Sequence, residues 1–524
     1  MKRRTLLATL PALAAPHGVR AAAQTTLRFV PVIDLSYLDP LFSTAQVTRN
    51  HAYMVFDTLY GWDTDLNIHP QMAAGETVED DGRLVTIALR PGLVWHDGPP
   101  VLARDCVASI RRWARRDALG AALLDATDEL DAPDDGHIRF RLKRPFPLLT
   151  YALGKGAVNM CAMMPERLAA TDAFKQIPEV VGSGPYRYLA AERVPGARNA
   201  YARFDGYKPR ESGTTNWTSG PKVAQFERVE WTTMPDMATG AAALMAGEQD
   251  WLEVAPHDLM PRLRANPALR TTVLDPLGYT CALRVNHLQP PFDNVGVRRA
   301  ILGAIDQVAF MDAVVGPNPE WQHTPLGFFC PGTPMASDVG MEAFTAPRDY
   351  ARVKAELQVA GYNGEKVVLL VPANSLAQKP LGDVAADCLQ KAGMNVEYAG
   401  MDFGSVQTRQ QLKTPVSAGG WSAYVANFQG MDWLNPIGHL GLRAVGETGF
   451  TGWYSSAAME GMRTSWLAAP DLAVQQAVAR DIQRQAFADA AYYPVGQYLQ
   501  PTAYRAGITG ILNGFATFWN VRPV

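Results

Sequence analysis

Residues 365–401 restrict the possible folds of this chain more than any other segment. They contain an apolar run, EKVVLLVP, a helical pattern, LGDVAADCLQKAG, and a second strand-like stretch, NVEYAGM. A strand, a helix that ends at a glycine and another strand predict a βαβ unit with two parallel strands. The sequence therefore predicts an α/β protein in which helices cover a partly parallel sheet.

The chain is too long for a single hydrophobic core. Its 524 residues correspond to about three domains of roughly 150 residues each. Hydrophobic residues make up 48% of the sequence and charged residues 19%, and no apolar run approaches the ~18 residues that a membrane-spanning helix requires. We therefore expect a globular protein of several domains.

The first 23 residues have the pattern of a cleaved export signal. The basic residues Lys2, Arg3 and Arg4 precede a short apolar stretch, and small residues precede Gln24. An amphipathic first helix is the alternative, but the apolar stretch has no polar face and ends in Pro and Gly. We expect cleavage near Ala23, and the pattern leaves both the Sec and the twin-arginine (Tat) route open.

Charge and cysteine content exclude several classes of function. Loss of the signal removes four basic residues and lowers the net charge from −3 to −7. No basic cluster remains, so we expect no nucleic-acid partner. The five cysteines lack the spacing of a metal site, and no metal is expected. Cys281 and Cys330 are the favoured pair if one disulfide forms, whereas Cys106 and Cys388 are expected to be buried thiols.

The stretch LRPGLVWHDG at 89–98 admits a catalytic and a structural interpretation. His96 and Asp97 are residue types of a catalytic dyad, but no nucleophile lies at a useful spacing and no common hydrolase or nucleotide motif occurs. In the structural interpretation Trp95 packs under a turn, and Asp97 with Gly98 forms a tight bend whose carboxylate accepts local N–H groups. We expect no catalytic residues, and a secreted hydrolase is the remote alternative.

Helical periodicity predicts several further elements. One helix is expected through 51–62, and another begins near Asp105 with an N-cap at Arg104-Asp105. A third should end at Ala246-Gly247. A single long amphipathic helix is predicted over 295–316, and a last helix over 471–490.

Six segments, in order along the chain, resemble motifs of the family 5 extracellular solute-binding proteins, the periplasmic dipeptide, oligopeptide and nickel-chelate receptors of ABC importers. They are YLDPLFSTAQ, LRPGLVWHDGPPVLARDCVASIRRW, VGSGPYRYL, ALMAGEQD, HLQPPFDNVGVRRAILGAID and VKAELQVAGY. The resemblance covers nearly all of the chain after the signal. In that family the WHDG segment is a structural corner rather than a reaction centre.

The resemblance implies a two-lobed periplasmic-binding-protein fold with mixed β-sheets flanked by helices and a ligand cleft between the lobes. Lobe one is expected to comprise 24–65, 186–281 and 496–524, an inserted small domain 66–185, and lobe two 282–495. The implied function is a monomeric, cofactor-free periplasmic receptor that captures a peptide-like solute and delivers it to an ABC permease in the inner membrane. A metal chelate, an opine or a sugar derivative is the alternative solute.

The resemblance also implies a ligand-binding carboxylate at Asp432, four residues before Pro436. In peptide-binding members such an Asp resembles a clamp for the ligand's ammonium group. The alternative is that Asp432 caps the turn near Asn435. Trp421 lies eleven residues before Asp432, a longer spacing than the family pattern, which suggests an insertion and leaves the ligand class open.

Six further residues near Asp432 in the sequence are candidates for the site. Trp421, Tyr424 and Trp433, together with Phe428, either wall the cleft or belong to the core. Arg409 is the cation candidate for a ligand carboxylate, with a solvated helix arginine as the alternative. Asn427 is a candidate hydrogen-bond partner for the ligand.

Overall fold

The computed structural model describes residues 25–157 and 159–524, so the predicted export signal lies outside the described residues. The β-strands are β1 Thr26–Val30, β2 Tyr60–Trp62, β3 Ile68–Pro70, β4 Ala73–Glu79, β5 Leu84–Leu89, β6 Thr127–Asp134, β7 His137–Leu142, β8 Tyr186–Tyr188, β9 Arg198–Arg203, β10 Arg228–Thr232, β11 Trp251–Leu252, β12 Leu269–Val273, β13 Tyr279–Val285, β14 Gln322–His323, β15 Lys366–Pro372, β16 Asn395–Met401, β17 Ala423–Gln429, β18 Tyr493–Tyr498, β19 Pro501–Arg505, β20 Ile508–Thr509 and β21 Arg522–Pro523.

The α-helices complete the framework. They are α1 Gln46–Val55, α2 Ala103–Ala114, α3 Ala118–Ala126, α4 Leu149–Leu153, α5 Glu166–Ala169, α6 Met237–Ala246, α7 Met260–Ala265, α8 Val295–Leu302, α9 Gln307–Val315, α10 Glu342–Thr345, α11 Tyr350–Val359, α12 Gln378–Lys391, α13 Phe403–Arg409, α14 Ala457–Leu467 and α15 Leu472–Asp489.

Two mixed sheets organise most of the chain. The first, the core of lobe one, has the order β12-β19-β11-β1-β10-β9-β8, and its central strand β1 runs parallel to β10 and β11. The second, the core of lobe two, has the order β14-β18-β13-β17-β15-β16, with β15 parallel to β16 and β17. A separate antiparallel sheet, β4-β5-β7-β6, supports α2 and α3 and forms the small domain.

Two short segments connect the two mixed sheets. Residues 274–278 lead from β12 to β13, and residues 499–500 lead from β18 to β19. Both β13 and β18 belong wholly to the sheet of lobe two, so each crosses one of the expected domain bounds, at 281/282 and 495/496. The exact domain bounds stay a prediction.

The βαβ unit predicted from the sequence is present. Strands β15 and β16 pair in parallel from Lys366 opposite Asn395 to Pro372 opposite Met401, and α12 connects them. Gly382 explains how closely the helix approaches the sheet, because a Cβ there would lie 2.4 Å from a methyl group of Val371. The helix ending at Ala246 is also confirmed, and Gly247 follows it in the left-handed conformation.

The helix predicted through 51–62 is wrong in its second half. Helix α1 ends at Val55, and Tyr60–Trp62 forms a strand that pairs with Ile68–Pro70. The main chain becomes extended at Phe56, directly before Asp57, whose carboxylate accepts from the distant Lys222. A long-range contact therefore ends a helix that local periodicity would continue.

Two predicted helix bounds also need correction. The helix predicted over 295–316 is two helices, because Asp306 accepts from Ala309 N and begins α9 as its N-cap. The helix expected to start at an Arg104-Asp105 cap begins at Ala103 instead. Asp105 is its third residue, and its carboxylate accepts from the N–H groups of Leu102 and Glu166.

Two fully buried ion pairs join distant segments. Lys222 Nζ lies 2.7 Å from Asp57 Oδ1, with side-chain exposures of 0% and 1%. Arg112 donates to both carboxylate oxygens of Asp39 at 3.2 and 2.7 Å, with exposures of 2% and 0%. Each charge is therefore compensated where water is absent.

The expected Cys281–Cys330 disulfide is wrong. All five cysteines are free and buried. Cys330 Sγ lies 3.6 Å from Leu277 O and accepts from Gln497 Nε2 at 3.3 Å. The burial expected for Cys106 and Cys388 is confirmed.

Candidate functional site

The interface between the lobes contains a buried arginine. Arg49 lies on α1 and is 4% exposed. Its Nη1 donates to Gln429 Oε1 at the end of β17 and lies 3.6 Å from Met431 Sδ. Its guanidinium carbon is 3.9 Å from the ring centre of Phe515. Arg49 therefore links the first helix of the chain to the central strand of lobe two.

A carboxylate from lobe one fixes the neighbouring turn of α1. Glu253 accepts from Val32 N at 2.8 Å and from the side-chain amides of Gln46 and Asn50. Burial raises the pKa of Glu253 above its ordinary value. Three neutral donors therefore occupy this carboxylate, which holds α1 against the end of the first sheet.

The crossing segment supplies a second carboxylate and an aromatic pair. Asp275 accepts from Leu277 N at 3.0 Å, and burial raises its pKa. Tyr279 donates to Gln46 Oε1, and its ring stacks on that of Tyr498 at 5.3 Å with an interplanar angle of 13°. Both connections between the lobes thus contribute to one packed interface.

A cavity of about 40 Å³ lies within this interface. Its lining comprises Gln46, Arg49, Trp251, Glu253, Val254, Leu274, Asp275, Gly278, Tyr279, Gln500, Thr502, Gly514, Phe515 and Ala516. This volume holds about three water molecules. A solute of dipeptide size enters only if the lobes move apart, because they are in contact here.

Asp432 lies beside this interface, on a 3-10 turn at Gly430–Trp433 that directly follows β17. Burial raises the pKa of Asp432 to about 6, opposed mainly by the positive charges of Lys155 and Arg49. It does not cap the following turn, since Asn435 Oδ1 accepts from Ile437 N and Gly438 N at 3.1 and 2.9 Å. The carboxylate is therefore not used for that structural purpose.

Residues outside the two large sheets approach Asp432. Lys155 Nζ donates to Asp117 Oδ2, and the other carboxylate oxygen of Asp117 caps α3. Asn435 Nδ2 donates to the hydroxyl of Tyr151 on α4 at 3.0 Å. The turn that carries Asp432 is thus held against a third part of the molecule.

The structure places the predicted aromatic residues inside lobe two. Trp421, with 0% exposure, contacts Tyr424 and Trp453 at ring distances of 5.2 and 5.6 Å. Trp433 stacks on His439 at 4.8 Å. These residues do not line the cavity at Arg49, and their direct contact with a solute stays a prediction.

The two predicted polar partners are engaged elsewhere. Asn427 donates to the Tyr498 hydroxyl at 2.9 Å and accepts from Gln378 at 2.8 Å. Arg409 donates to the carbonyl oxygens of Gly419 and Gly420, both at 3.0 Å. Asn427 therefore supports the tyrosine stack beside the cavity, whereas Arg409 holds a loop at the end of α13.

The spacing between Trp421 and Asp432 has a simple structural cause. Strand β17 occupies 423–429 and pairs with β13 over seven consecutive residues without a register shift, from Tyr279 opposite Gln429 to Val285 opposite Ala423. No extra loop is present between the two residues. The suggested insertion is therefore absent as a looped-out segment.

The charged residues that sequence reasoning missed come from separate parts of the chain. Arg49 lies on α1 two residues before the helix predicted through 51–62, while Glu253 and Asp275 follow short strands. No local motif connects these three positions. The available sequence signal was a basic and a polar residue, Arg49 and Asn50, directly before a largely apolar and aromatic stretch.

The WHDG segment is a structural corner. His96 Nε2 lies 2.9 Å from Gly184 O, and burial lowers the pKa of His96 to about 4. Trp95 is buried, as expected, whereas Asp97 pairs with Arg167 at 2.6 Å instead of accepting local N–H groups. His96 and Asp97 therefore engage different partners and form no dyad.

Two features are absent from the part of the chain that the structure describes. Residues 25–157 and 159–524 contain no group of three or more His, Cys, Asp or Glu side chains arranged to hold a metal ion. Within the same ranges, none of the helices combines the length and apolar composition needed to cross a bilayer.

Two mixed sheets, two short crossing segments and a charged cavity between the lobes define a two-lobed binding protein. The model of the "Bacterial extracellular solute-binding proteins, family 5 Middle" matches residues 67–438. The chain belongs to family 5 of the bacterial extracellular solute-binding proteins.

Similarity to individual proteins extends over almost the whole chain. The "Probable peptide ABC transporter periplasmic-binding protein y4tO" of Sinorhizobium fredii is 33% identical over 98% of this chain and 97% of its own length. A dipeptide-binding protein from Pseudoalteromonas sp. SM9913, solved with Met-Leu, has a TM-score of 0.79 at 17% identity, covering 95% of this chain and all of that one. AgaA from A.tumefacien R10, solved with agropinic acid, has a TM-score of 0.77 at 21% identity, covering 95% and 99%. The two structures establish a shared two-lobed fold.

Proposed function

We propose that this protein is the substrate-binding component of an ABC importer that captures a peptide-like solute between its lobes and delivers it to a permease in the inner membrane. The observation that carries the proposal is the interface at Arg49, which joins both lobes at a small cavity and has the buried carboxylate of Asp432 close to it. The peptide transporter name of the 33% identical relative supports this solute class.

Asp432 is the proposed clamp for the ammonium group of the solute. Its carboxylate is partly buried, and burial holds its pKa near 6 without a direct ion pair among the described residues. An ammonium group brought beside it forms a charge-assisted hydrogen bond in a region of low dielectric. The solute then favours the closed arrangement, because contacts with both lobes exist only there.

The remaining features of the proposal follow from the family and the sequence. The mature protein is periplasmic, exported by the Sec or Tat route, and acts as a monomer without cofactor or nucleic-acid partner. It binds its solute without converting it, since His96 and Asp97 are committed to structural contacts. Trp421, Tyr424 and Trp433 shape lobe two from within, and Asn427 orients Tyr498 beside the cavity.

A thermal-shift screen followed by calorimetry tests this function. The panel contains dipeptides, tripeptides, glutathione, a nickel–histidine chelate, agropinic acid and simple glycosides. We expect peptides to raise the melting temperature, bind at 1:1 stoichiometry and be recovered unchanged. A shift with the chelate, agropinic acid or a glycoside alone would establish a non-peptide receptor, and consumption of a peptide would identify a hydrolase.

A further inference from the structure

We propose that Arg49 is the anion-binding residue of the interlobe site and receives a carboxylate of the solute on its Nε–Nη2 edge. The inference rests on the proposed function and deepens it by naming the class of solute. The site would take a compact zwitterion, such as a short peptide with both termini free, whose ammonium group lies at Asp432.

Arg49 is a buried cation that forms no ion pair with a carboxylate among the described residues. Among the described residues no acidic oxygen lies within the 4.0 Å of an ion pair, although the side chain is 4% exposed. Burial of an unpaired charge is costly, and proteins usually compensate it. An acidic partner from outside the chain would remove this cost.

One edge of the guanidinium remains available. Nη1 is occupied by Gln429, and one face lies on Phe515. Nε is buried without a hydrogen-bond partner, and Nη2 makes no hydrogen bond within the described ranges. Nε and Nη2 form a planar fork that matches the two oxygens of a carboxylate.

Two buried arginines of lobe two differ from Arg49 at this edge of the guanidinium. Arg298 donates from Nε and Nη2 to Asp489 O at 3.1 and 3.0 Å. Arg284 donates from the same two atoms to Thr451 O at 3.3 and 2.9 Å. Main-chain carbonyls thus fill the fork in both cases, whereas the fork of Arg49 borders the cavity between the lobes.

The neighbouring carboxylates favour the charged form of Arg49 but do not occupy its fork. Burial lowers the pKa of Arg49, and the nearby Tyr279, Asp275 and Glu253 oppose that shift. Glu253 already accepts from three donors, and Asp275 holds the turn of its own crossing segment.

The positions of Arg49 and Asp432 limit the size of the solute. Arg49 is hydrogen-bonded to Gln429, three residues before Asp432, and the positive charge of Arg49 favours the ionised form of Asp432 across the intervening space. An ammonium group and a carboxylate that bind here are therefore close together. This spacing favours an amino-acid-like or dipeptide-sized solute over an extended oligopeptide.

Calorimetry with three peptides tests the assignment. The probes are Met-Leu, Met-Leu with an amidated C-terminus, and trialanine. We expect the wild-type protein to bind Met-Leu at least about tenfold more tightly than the amide. Arg49→Gln should weaken Met-Leu binding by about tenfold to a hundredfold and abolish the preference for the free acid. The control Arg352→Gln, at an exposed i,i+4 pair with Glu356, should leave both affinities unchanged.

The preference for acid over amide is the deciding result, because a merely structural role of Arg49 would not change it. Equal binding of both forms by the wild-type protein would overturn the Arg49 assignment while leaving the peptide function intact. Retention of the preference in Arg49→Gln would overturn it as well. If Arg49→Gln does not fold, Arg49→Lys and the wild-type comparison decide. Binding of none of the three peptides would contradict the function and this assignment together.

Discussion

The buried cations of this molecule differ in what stands beside them. Lys222 contacts Asp57, and Arg112 contacts Asp39 through two hydrogen bonds. Arg49, equally deep at the interface between the lobes, contacts a neutral amide, a thioether and an aromatic face. The first two cations join distant segments through ion pairs, whereas the third lies at the interface between the two lobes.

This difference separates charged residues that stabilise the fold from a charged residue that is available to bind the solute. A paired buried charge is matched within the fold, and removal of one partner exposes the full desolvation cost of the other. A buried charge without an ion-pair partner between the lobes lowers the stability of the solute-free protein. Its free hydrogen-bond donors remain available to the solute. The contrast predicts opposite responses to substitution in the two regions.

The largest effect is expected for the paired charges. Asp57→Asn leaves Lys222 fully buried without a carboxylate, and should lower the free energy of unfolding by about 3–5 kcal/mol. Urea denaturation measures this loss. The double variant Asp57→Leu/Lys222→Met should recover part of the lost free energy of unfolding. A loss below about 1 kcal/mol for Asp57→Asn would contradict the contrast between paired and unpaired buried cations.

Asp432→Asn should show a smaller effect of opposite sign at neutral pH. The folded-state pKa of Asp432 is about 6, against an ordinary value of 3.8, so its charged form is disfavoured in the folded protein. Above about pH 6 the substitution should stabilise the solute-free protein by on the order of 1–2 kcal/mol.

That gain should shrink as the pH falls through about 6 and disappear below the ordinary pKa of 3.8, where the wild-type carboxyl group is protonated in both states. Melting temperatures at several pH values, with Asp387→Asn as an exposed control, measure the difference. Peptide affinity should fall in Asp432→Asn above about pH 6, where the wild-type carboxylate is charged, and the difference should shrink at lower pH. A pH-independent change in stability would contradict the assigned burial cost.

Arg49→Gln sharpens the contrast with Asp57→Asn. Because no ion pair is lost, the free energy of unfolding without solute should change by less than about 1 kcal/mol, or rise. Denaturation curves with and without Met-Leu test both halves of the claim. The variant should not show the stabilisation by peptide that the wild type shows. A decrease of about 3 kcal/mol in the free energy of unfolding without peptide would instead group Arg49 with the paired charges.

The smallest effect is expected for Arg409→Gln. Arg409 donates only to the carbonyl oxygens of Gly419 and Gly420 near an exposed loop, and such contacts contribute about 1 kcal/mol or less. Calorimetry should give an unchanged peptide affinity. A tenfold loss of affinity would return Arg409 to the binding site.

The sequence predicted those parts of the fold that depend on local pattern. The βαβ unit of β15, α12 and β16 was found because apolar runs and a terminal glycine are local signals. The helix through 51–62 failed because Asp57 is held by Lys222, far along the chain. The disulfide failed because two cysteines in loop-like surroundings carry no information on their separation.

The candidate site was predictable only in part for the same reason. Asp432 was found through its resemblance to a family motif, because the motif depends on Pro436, which lies only four residues after Asp432 in the sequence. Arg49 and Glu253 are far apart in the sequence and come together only in the folded lobe one. Lys155 approaches Asp432 from a third segment, so the charge environment of the carboxylate follows from geometry alone.

Native mass spectrometry of the protein purified from its own periplasm tests the central claim most directly. The account predicts a 1:1 noncovalent adduct whose mass is that of a short peptide with a free amino group and a free carboxylate, lost in Arg49→Gln. A chelate, a glycoside or an extended oligopeptide in that position would contradict it, as would an adduct that Arg49→Gln retains at wild-type occupancy.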